Sequence, residues 1–342
     1  MAVANYLTRL TAISLTVALA LFCSVQSSHA AENEELLQER FAFWSHQAFY
    51  CKVDNITFPS RPTGTASQPC DDGDMTLFNG LLCFAGDERG CTGVREAQDP
   101  KTGEWFRSPR IRLRGNDRGG ASFSPDMALG VQLYLLKTKD VKRAETWANW
   151  LHDLTPCSVE NPFDTDQCWL WGLPRFCAPE DGCTMRPGDA AALSHTFDYM
   201  HAKHGMAPLP HGRLRGYLAT FDSIGQFMTE MNSIFNKPGF SQHLVAVEVL
   251  IMKAIYGDKD DLTGIAKRLA NKSENQGNAF FSYLAKRDRA QVISEVLARC
   301  PSPEKLPVPP LKQWQWERDN EDKAWEHSSY WDCIFMARLL GT

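Results

Sequence analysis

The chain has 342 residues, with 36 Lys plus Arg against 41 Asp plus Glu and a formal net charge of −5. That balance gives no electrostatic reason to bind nucleic acid and leaves neutral or cationic substrates open. Its first thirty residues stand apart: Arg9 is their one basic residue, TAISLTVALALFC is an apolar stretch without charge, and SSHA offers small residues before Ala30. This pattern predicts a secretory signal over 1–30, cleaved after Ala30 and too short to span a membrane. The expected location is periplasmic or extracellular, with no stable membrane span after cleavage.

From residue 31 the chain reads as helix after helix. ENEELLQERFAFWSHQAFY places Leu36, Leu37, Phe41, Trp44 and Ala48 near helical spacing. DMTLFNGLLCFAG, PDMALGVQLYLLK, AETWANWLHDL, DAAALSHTFDYMHAKHG, LRGYLATFDSIGQFMTEMNSIF and QHLVAVEVLIMKAIYG follow. DLTGIAKRLANK, NAFFSYLAKR, RAQVISEVLARC and WDCIFMARLLG complete the series. No alternating strand longer than a few residues interrupts it. MALGVQLYLL, LVAVEVLIMKAIY and CIFMARLL are apolar around most of their circumference, as in helices buried on all sides. AETWANWLHDL, DLTGIAKRLANK and RAQVISEVLARC carry polar faces and read as covering helices. Inner and outer helices in rough alternation predict an all-α fold, a toroid of helical hairpins forming one domain over 31–342. Two stretches break the pattern: 155–189 and 300–327 read as long loops, which in compact domains are often functional.

Removing Cys23 with the leader leaves ten of the eleven cysteines. An even number in an exported chain favours disulfides over metal sites. Cys70 with Cys91 and Cys177 with Cys183 are plausible local pairs. Cys83 and Cys333, set within apolar helical patterns, also fit free thiols packed as small hydrophobes.

Chemistry is sought at the starts of the buried helices. Asp74 precedes MTLFNGLL, Asp126 precedes MALGVQLYLL, His243 precedes LVAVEVLIM, and Asp332 precedes CIFMARLL. In a helical toroid these ends gather around one cleft. Cleavage of a glycosidic bond needs one protonated and one ionised carboxyl group, and Asp74 with Asp126 is the preferred pair. Each aspartate also suits a helix N-cap. Between them lie Trp105 and Arg107, an aromatic face for a sugar ring and a guanidinium fork for carboxylate or hydroxyls. Asp72, His243 and Asp332 complete the candidate substrate-binding set. No metal or cofactor is expected at this pair.

DGDMTLFNG, WFRSP and SFSPDMALGVQLYLL, over roughly residues 70 to 140, resemble the six-hairpin glycosidase superfamily in architecture and motif style. That resemblance implies an (α/α)6 toroid and carboxylate chemistry on an oligosaccharide or polysaccharide. Asp74 and Asp126 then become the acid and the base or nucleophile, with Trp105, Arg107 and His243 binding substrate. Three other readings stay open. A toroid-type polysaccharide lyase would use His243 with Tyr283 or Tyr330. A metal-dependent hydrolase would use Asp198, His201 and His204, spaced three apart on one helix. A non-catalytic exported protein would bind a glycan or a partner.

Overall fold

The computed structural model describes residues 31–63, 70–116, 122–155, 157–178, 181, 183–222, 225–304 and 330–342. The leader 1–30 and most of the 300–327 stretch lie outside them. Helix α1 runs over 31–47. A short hairpin follows, β1 (Tyr50–Val53) and β2 (Ile56–Pro59), antiparallel with Cys51 opposite Phe58. Then come α2 (Met75–Phe84), α3 (Glu88–Arg95), α4 (Pro109–Arg114), α5 (Pro125–Thr138) and α6 (Val141–Asp153). A second antiparallel hairpin, β3 (Cys157–Asn161) and β4 (Asp164–Trp171), carries irregular register. The rest is helical: α7 (Pro187–His204), α8 (Arg213–Asp222), α9 (Gly225–Phe235), α10 (Phe240–Tyr256), α11 (Asp260–Asn271), α12 (Ala279–Leu284), α13 (Arg289–Arg299) and α14 (Trp331–Leu339).

The molecule is therefore helix-rich, as the periodicity predicts, with local differences in the shorter elements. The long pattern 214–235 carries α8 and α9, on either side of residues 223–224, which lie outside the described residues. Helices α3 and α4 are too short for an apolar period to register, and caps define them instead. Asp87 accepts from the N–H groups of Arg89 and Gly90, and Ser108 accepts from that of Ile111 ahead of Pro109. The 155–189 stretch, expected as loop, contains the β3–β4 hairpin.

Four disulfides are described: Cys51–Cys70, Cys83–Cys91, Cys177–Cys183 and Cys300–Cys333. The expected Cys177–Cys183 pair is present, but Cys70 and Cys91 each take a different partner. Cys83 and Cys333 are bonded, not free. Both are fully buried helical residues, and packing as small hydrophobes proves compatible with bridging to a neighbouring segment. These bonds fit an oxidising compartment. Among the described residues no helix is long and apolar enough to cross a membrane.

Helices α2 and α5 cross closely. Each contributes a glycine: a Cβ on Gly80 would stand 2.2 Å from the Gly130 carbonyl oxygen, and one on Gly130 would stand 2.3 Å from that of Thr76. Neither obstacle is a flexible side chain, so relief requires the helices to separate. Gly80→Ala is expected to destabilise the protein by about 1–3 kcal/mol or more. A urea midpoint equal to that of the parent would contradict the close crossing.

The N-terminal ends of these two helices also meet. The Thr76 N–H donates to the Arg107 carbonyl at 2.9 Å, and the Arg107 N–H donates to Ser122 O at 2.8 Å, just ahead of α5. Further packing runs from α5 to α7 and α10, and from α7 to α10. Buried Thr196 of α7 donates to Gln132 Oε1 of α5 at 3.0 Å. Phe280 of α12 lies between His243 of α10 and Phe335 of α14, with centroids 5.4 Å away in each case. Segments distant in sequence close on each other too. Trp44 Nε1 of α1 donates to Pro301 O at 2.7 Å, and Trp331 Nε1 donates to Ser60 O at 2.9 Å.

Candidate functional site

The predicted residues fall into different environments. Asp72 is 1 % exposed and clamped, with Ser108 Oγ at 2.5 Å and Arg110 Nε at 2.6 Å. Its charge is spent inside the fold, because a buried carboxylate needs such partners. Trp105 is fully buried, its Nε1 donating to Val94 O at 3.0 Å and its ring edge-on to Trp147 at 5.3 Å. It therefore presents no face to a sugar, which corrects the expectation. Aromatic rings repay burial so strongly that a tryptophan in a turn-rich segment can still reach the core.

Asp74 and Arg107 are brought together, with Arg107 Nη1 3.5 Å from Asp74 Oδ1. Asp74 sits in the left-handed region at φ 53° and makes no side-chain cap to α2. Asp332 is 1 % exposed, and its Oδ1 accepts from the Cys333 N–H at 2.9 Å within the first turn of α14. His243 is 4 % exposed against Phe280, and its Nε2 has no hydrogen-bond partner among the described residues. Burial alone pushes its imidazole down to about 4. Tyr283, offered as its lyase partner, lines a cavity with Lys253, Asp258 and Lys286 that His243 does not line. Tyr330, the other offered partner, packs edge-on to Phe43 at 6.1 Å.

Asp126 leads to a site that the helix-start reasoning missed. It occupies the first turn of α5, and its Oδ1 is 3.5 Å from Arg186 Nη2. Arg186 is the N-cap residue of α7 in the sequence RPGD. Pro187 fits the first helical position, where no N–H is needed, and Asp189 three residues on closes the turn. Asp189 Oδ2 accepts the Arg186 backbone N–H at 3.0 Å and Nε at 2.8 Å, while Oδ1 accepts Nη2 at 3.0 Å. The carboxylate is 3 % exposed, so the guanidinium is held in a fixed pose from one side.

Opposite Asp189 stands Glu248, in the middle of α10. It is 8 % exposed, and its Oε2 accepts from Thr229 Oγ1 of α9 at 3.0 Å. Its carboxyl is pushed up to about 7, chiefly by burial and then by the Asp189 charge; the Thr229 hydrogen bond and Arg186 oppose the rise only in part. Arg186, Asp189 and Glu248 line a cavity of about 420 Å³, with Asn232, Asn236 and Ser241 among its other walls. A protonated glutamic acid facing neutral amide and hydroxyl groups, beside two carboxylates paired to arginine, can donate a proton near neutrality. One sequence signal marks it: Glu248 is the single charge in LVAVEVLIM, and a buried ionisable group in an apolar helix is a functional candidate.

The histidine-rich helix α7 does not form the anticipated metal triad. His201 Nδ1 is 2.6 Å from Met206 O, and the His204 ring packs on Tyr199 at 5.3 Å. Asp198 faces Asp222 instead, and burial followed by that charge raises its carboxyl. His195 Nδ1 lies 3.2 Å from Asp222 Oδ1 and 2.7 Å from Tyr256 Oη. Among the described residues no group of three His, Cys, Asp or Glu side chains is placed to hold a metal ion. A separate cavity here, about 290 Å³, is lined by exposed Asp198, His201 and Arg215, half-buried Asp222, and buried Phe197 and Leu218.

Comparison of the chain with protein-family models, curated proteins and solved structures gives no match. The functional reading therefore stands on the chain's own chemistry.

Proposed function

We propose that this chain is an exported glycan-active hydrolase whose acid is Glu248 and whose ionised partner is Asp126. The observation that carries the reading is the Glu248 carboxyl, raised to about 7 in a polar cavity next to the Arg186-paired carboxylates. In the reaction the Glu248 proton passes to the leaving oxygen as the glycosidic C–O bond breaks. Asp126 either takes the proton of the attacking water or attacks the anomeric carbon itself. Arg186 fixes Asp126 and Asp189 in place. Neither Asp74 nor Asp126 is among the residues lining the cavity, but Asp126 stands beside its Arg186, whereas Asp74, the acid expected from the helix starts, is engaged by Arg107.

The toroid belongs to the same proposal. The packing succession α2–α5–α7–α10–α12, with Phe280 against Phe335 of α14 and α14 against α2, supports a ring of helices. The lyase alternative is less favoured. It needs a cation free to neutralise a uronate carboxylate, whereas Arg186 is already gripped by Asp189.

Incubation with neutral, amino and acidic oligosaccharides is expected to release new reducing ends without ultraviolet-absorbing unsaturated products. Unsaturated products would transfer the assignment to the lyase. No cleavage of any member of the panel would remove the hydrolase reading.

A further inference from the structure

The cavity that holds Tyr283, of about 310 Å³, shares none of its described lining residues with the one around Glu248. Phe84 at the end of α2, Leu250 of α10 and Leu284 of α12 supply apolar wall, and Tyr283 adds an aromatic ring. Its charged lining is two lysines and one aspartate. Lys253 of α10, its side chain 9 % exposed, donates to Asp258 Oδ1 at 2.7 Å and to Thr263 Oγ1 at 3.1 Å. Lys286 Nζ meets the other oxygen, Oδ2, at 2.9 Å. These two ammoniums hold the Asp258 carboxyl below its usual range. Neither has a further partner among the described residues, although an ammonium has three donors. The described lining therefore carries one surplus positive charge and unused donors. Lys286 follows α12 in the left-handed region at φ 57°, its N–H donating to Tyr283 O at 3.0 Å. Helix ends of this kind usually carry glycine, so a lysine here accepts backbone strain while reaching the cavity.

We propose that this cavity binds a small organic carboxylate whose body is apolar or aromatic. The site is separate from the Glu248 cavity and does not depend on the hydrolase reading. A single surplus positive charge suits a monoanion, and the unused lysine donors give its oxygens charge-assisted hydrogen bonds. Burial, and then the Asp258 charge, raises Tyr283, so its hydroxyl keeps a proton to donate. An apolar wall with a few placed charges is the make-up of a small-molecule pocket, and the volume admits a single ring. A phosphate dianion would bring more charge than the lysines leave unmatched, and it would gain nothing from Phe84, Leu250 and Leu284.

Benzoate, phenylacetate and hexanoate are titrated into the protein by ligand-observed NMR, beside their uncharged amides, acetate and inorganic phosphate. At least one of the three is expected to bind about tenfold more tightly than its amide, acetate or phosphate. Added salt should narrow the margin over the amide. Lys286→Gln should weaken that binding about three- to tenfold with an unchanged urea midpoint, because Lys286 is exposed, and Lys253→Gln should weaken it as well. An amide that binds as well as its acid overturns the proposal by removing the role of the lysines. Acetate or phosphate binding as tightly overturns it by removing the role of the apolar wall. Undiminished binding in both lysine variants places the anion elsewhere, for example at Arg186, and also overturns it. If none of the three carboxylates binds, the proposal falls, while glycan cleavage is judged separately by its own assay.

Discussion

Glu248→Gln is expected to reduce glycan turnover by about 10²–10⁴-fold while leaving the fold intact. The amide oxygen still accepts from Thr229 Oγ1, so the 3.0 Å link between α9 and α10 survives, but the dissociable proton is gone. Asp126→Asn should give a loss of similar order, because it removes the charge that serves as base or nucleophile. It should not unfold the chain, since Asp189 alone grips Arg186 with two hydrogen bonds from its side chain. Asp74→Asn is expected to have a much smaller effect. The three variants are compared by initial rates, with circular dichroism and urea midpoints as controls for folding. Full activity in Glu248→Gln together with a dead Asp74→Asn would reverse the assignment and return the acid to the start of α2.

The second large effect is on stability as a function of pH, where two buried groups of α10 act in opposite directions. Glu248 rises from 4.5 to about 7 on folding. The folded state therefore holds the extra proton between these values, and stability falls as pH rises through the interval. His243 drops from 6.5 to about 4. There the unfolded state holds the extra proton, and stability falls as pH is lowered from 6.5 towards 4. Each slope is at most about 1.4 kcal/mol per pH unit, so between about pH 4.5 and 6.5 the two contributions largely cancel. Single variants should expose them. Glu248→Gln should become steadily more stable relative to the parent as pH rises from 4.5 to 7, by up to roughly 3 kcal/mol. His243→Leu should become more stable relative to the parent as pH falls from 6.5 to 4. Urea midpoints collected across this range provide the measurement. Parallel curves for parent and variants would contradict the burial of both groups in their uncharged forms.

The helices were legible because their stabilising signal is local. An apolar face at 3.6-residue spacing, as in MALGVQLYLL, is written in consecutive residues, and so is a cap such as Asp87 or Ser108. The site was legible in part. Asp126 could be named because it opens a buried helix. Trp105 was misplaced because a tryptophan in a turn-rich segment has the same local sequence whether it faces solvent or the Val94 carbonyl. Arg186 follows a cysteine-rich stretch with nothing local to give it a partner, and Glu248 is marked only as the lone charge of an apolar helix, a signal that names no partner.

Composition and periodicity by themselves determined a helix-rich chain with paired cysteines and too little basic charge for nucleic acid. These properties depend on spacing along the chain and on totals. Only the tertiary structure decided which cysteines meet and that Gly80 and Gly130 let α2 and α5 touch. It also decided that an arginine and aspartate from α7 and a glutamate from α10 line one cleft, with an aspartate from α5 beside the arginine. Electrostatic coupling and desolvation act through space over a few ångströms. The acidity of Glu248 is therefore set by what packs against it, not by its neighbours in the sequence.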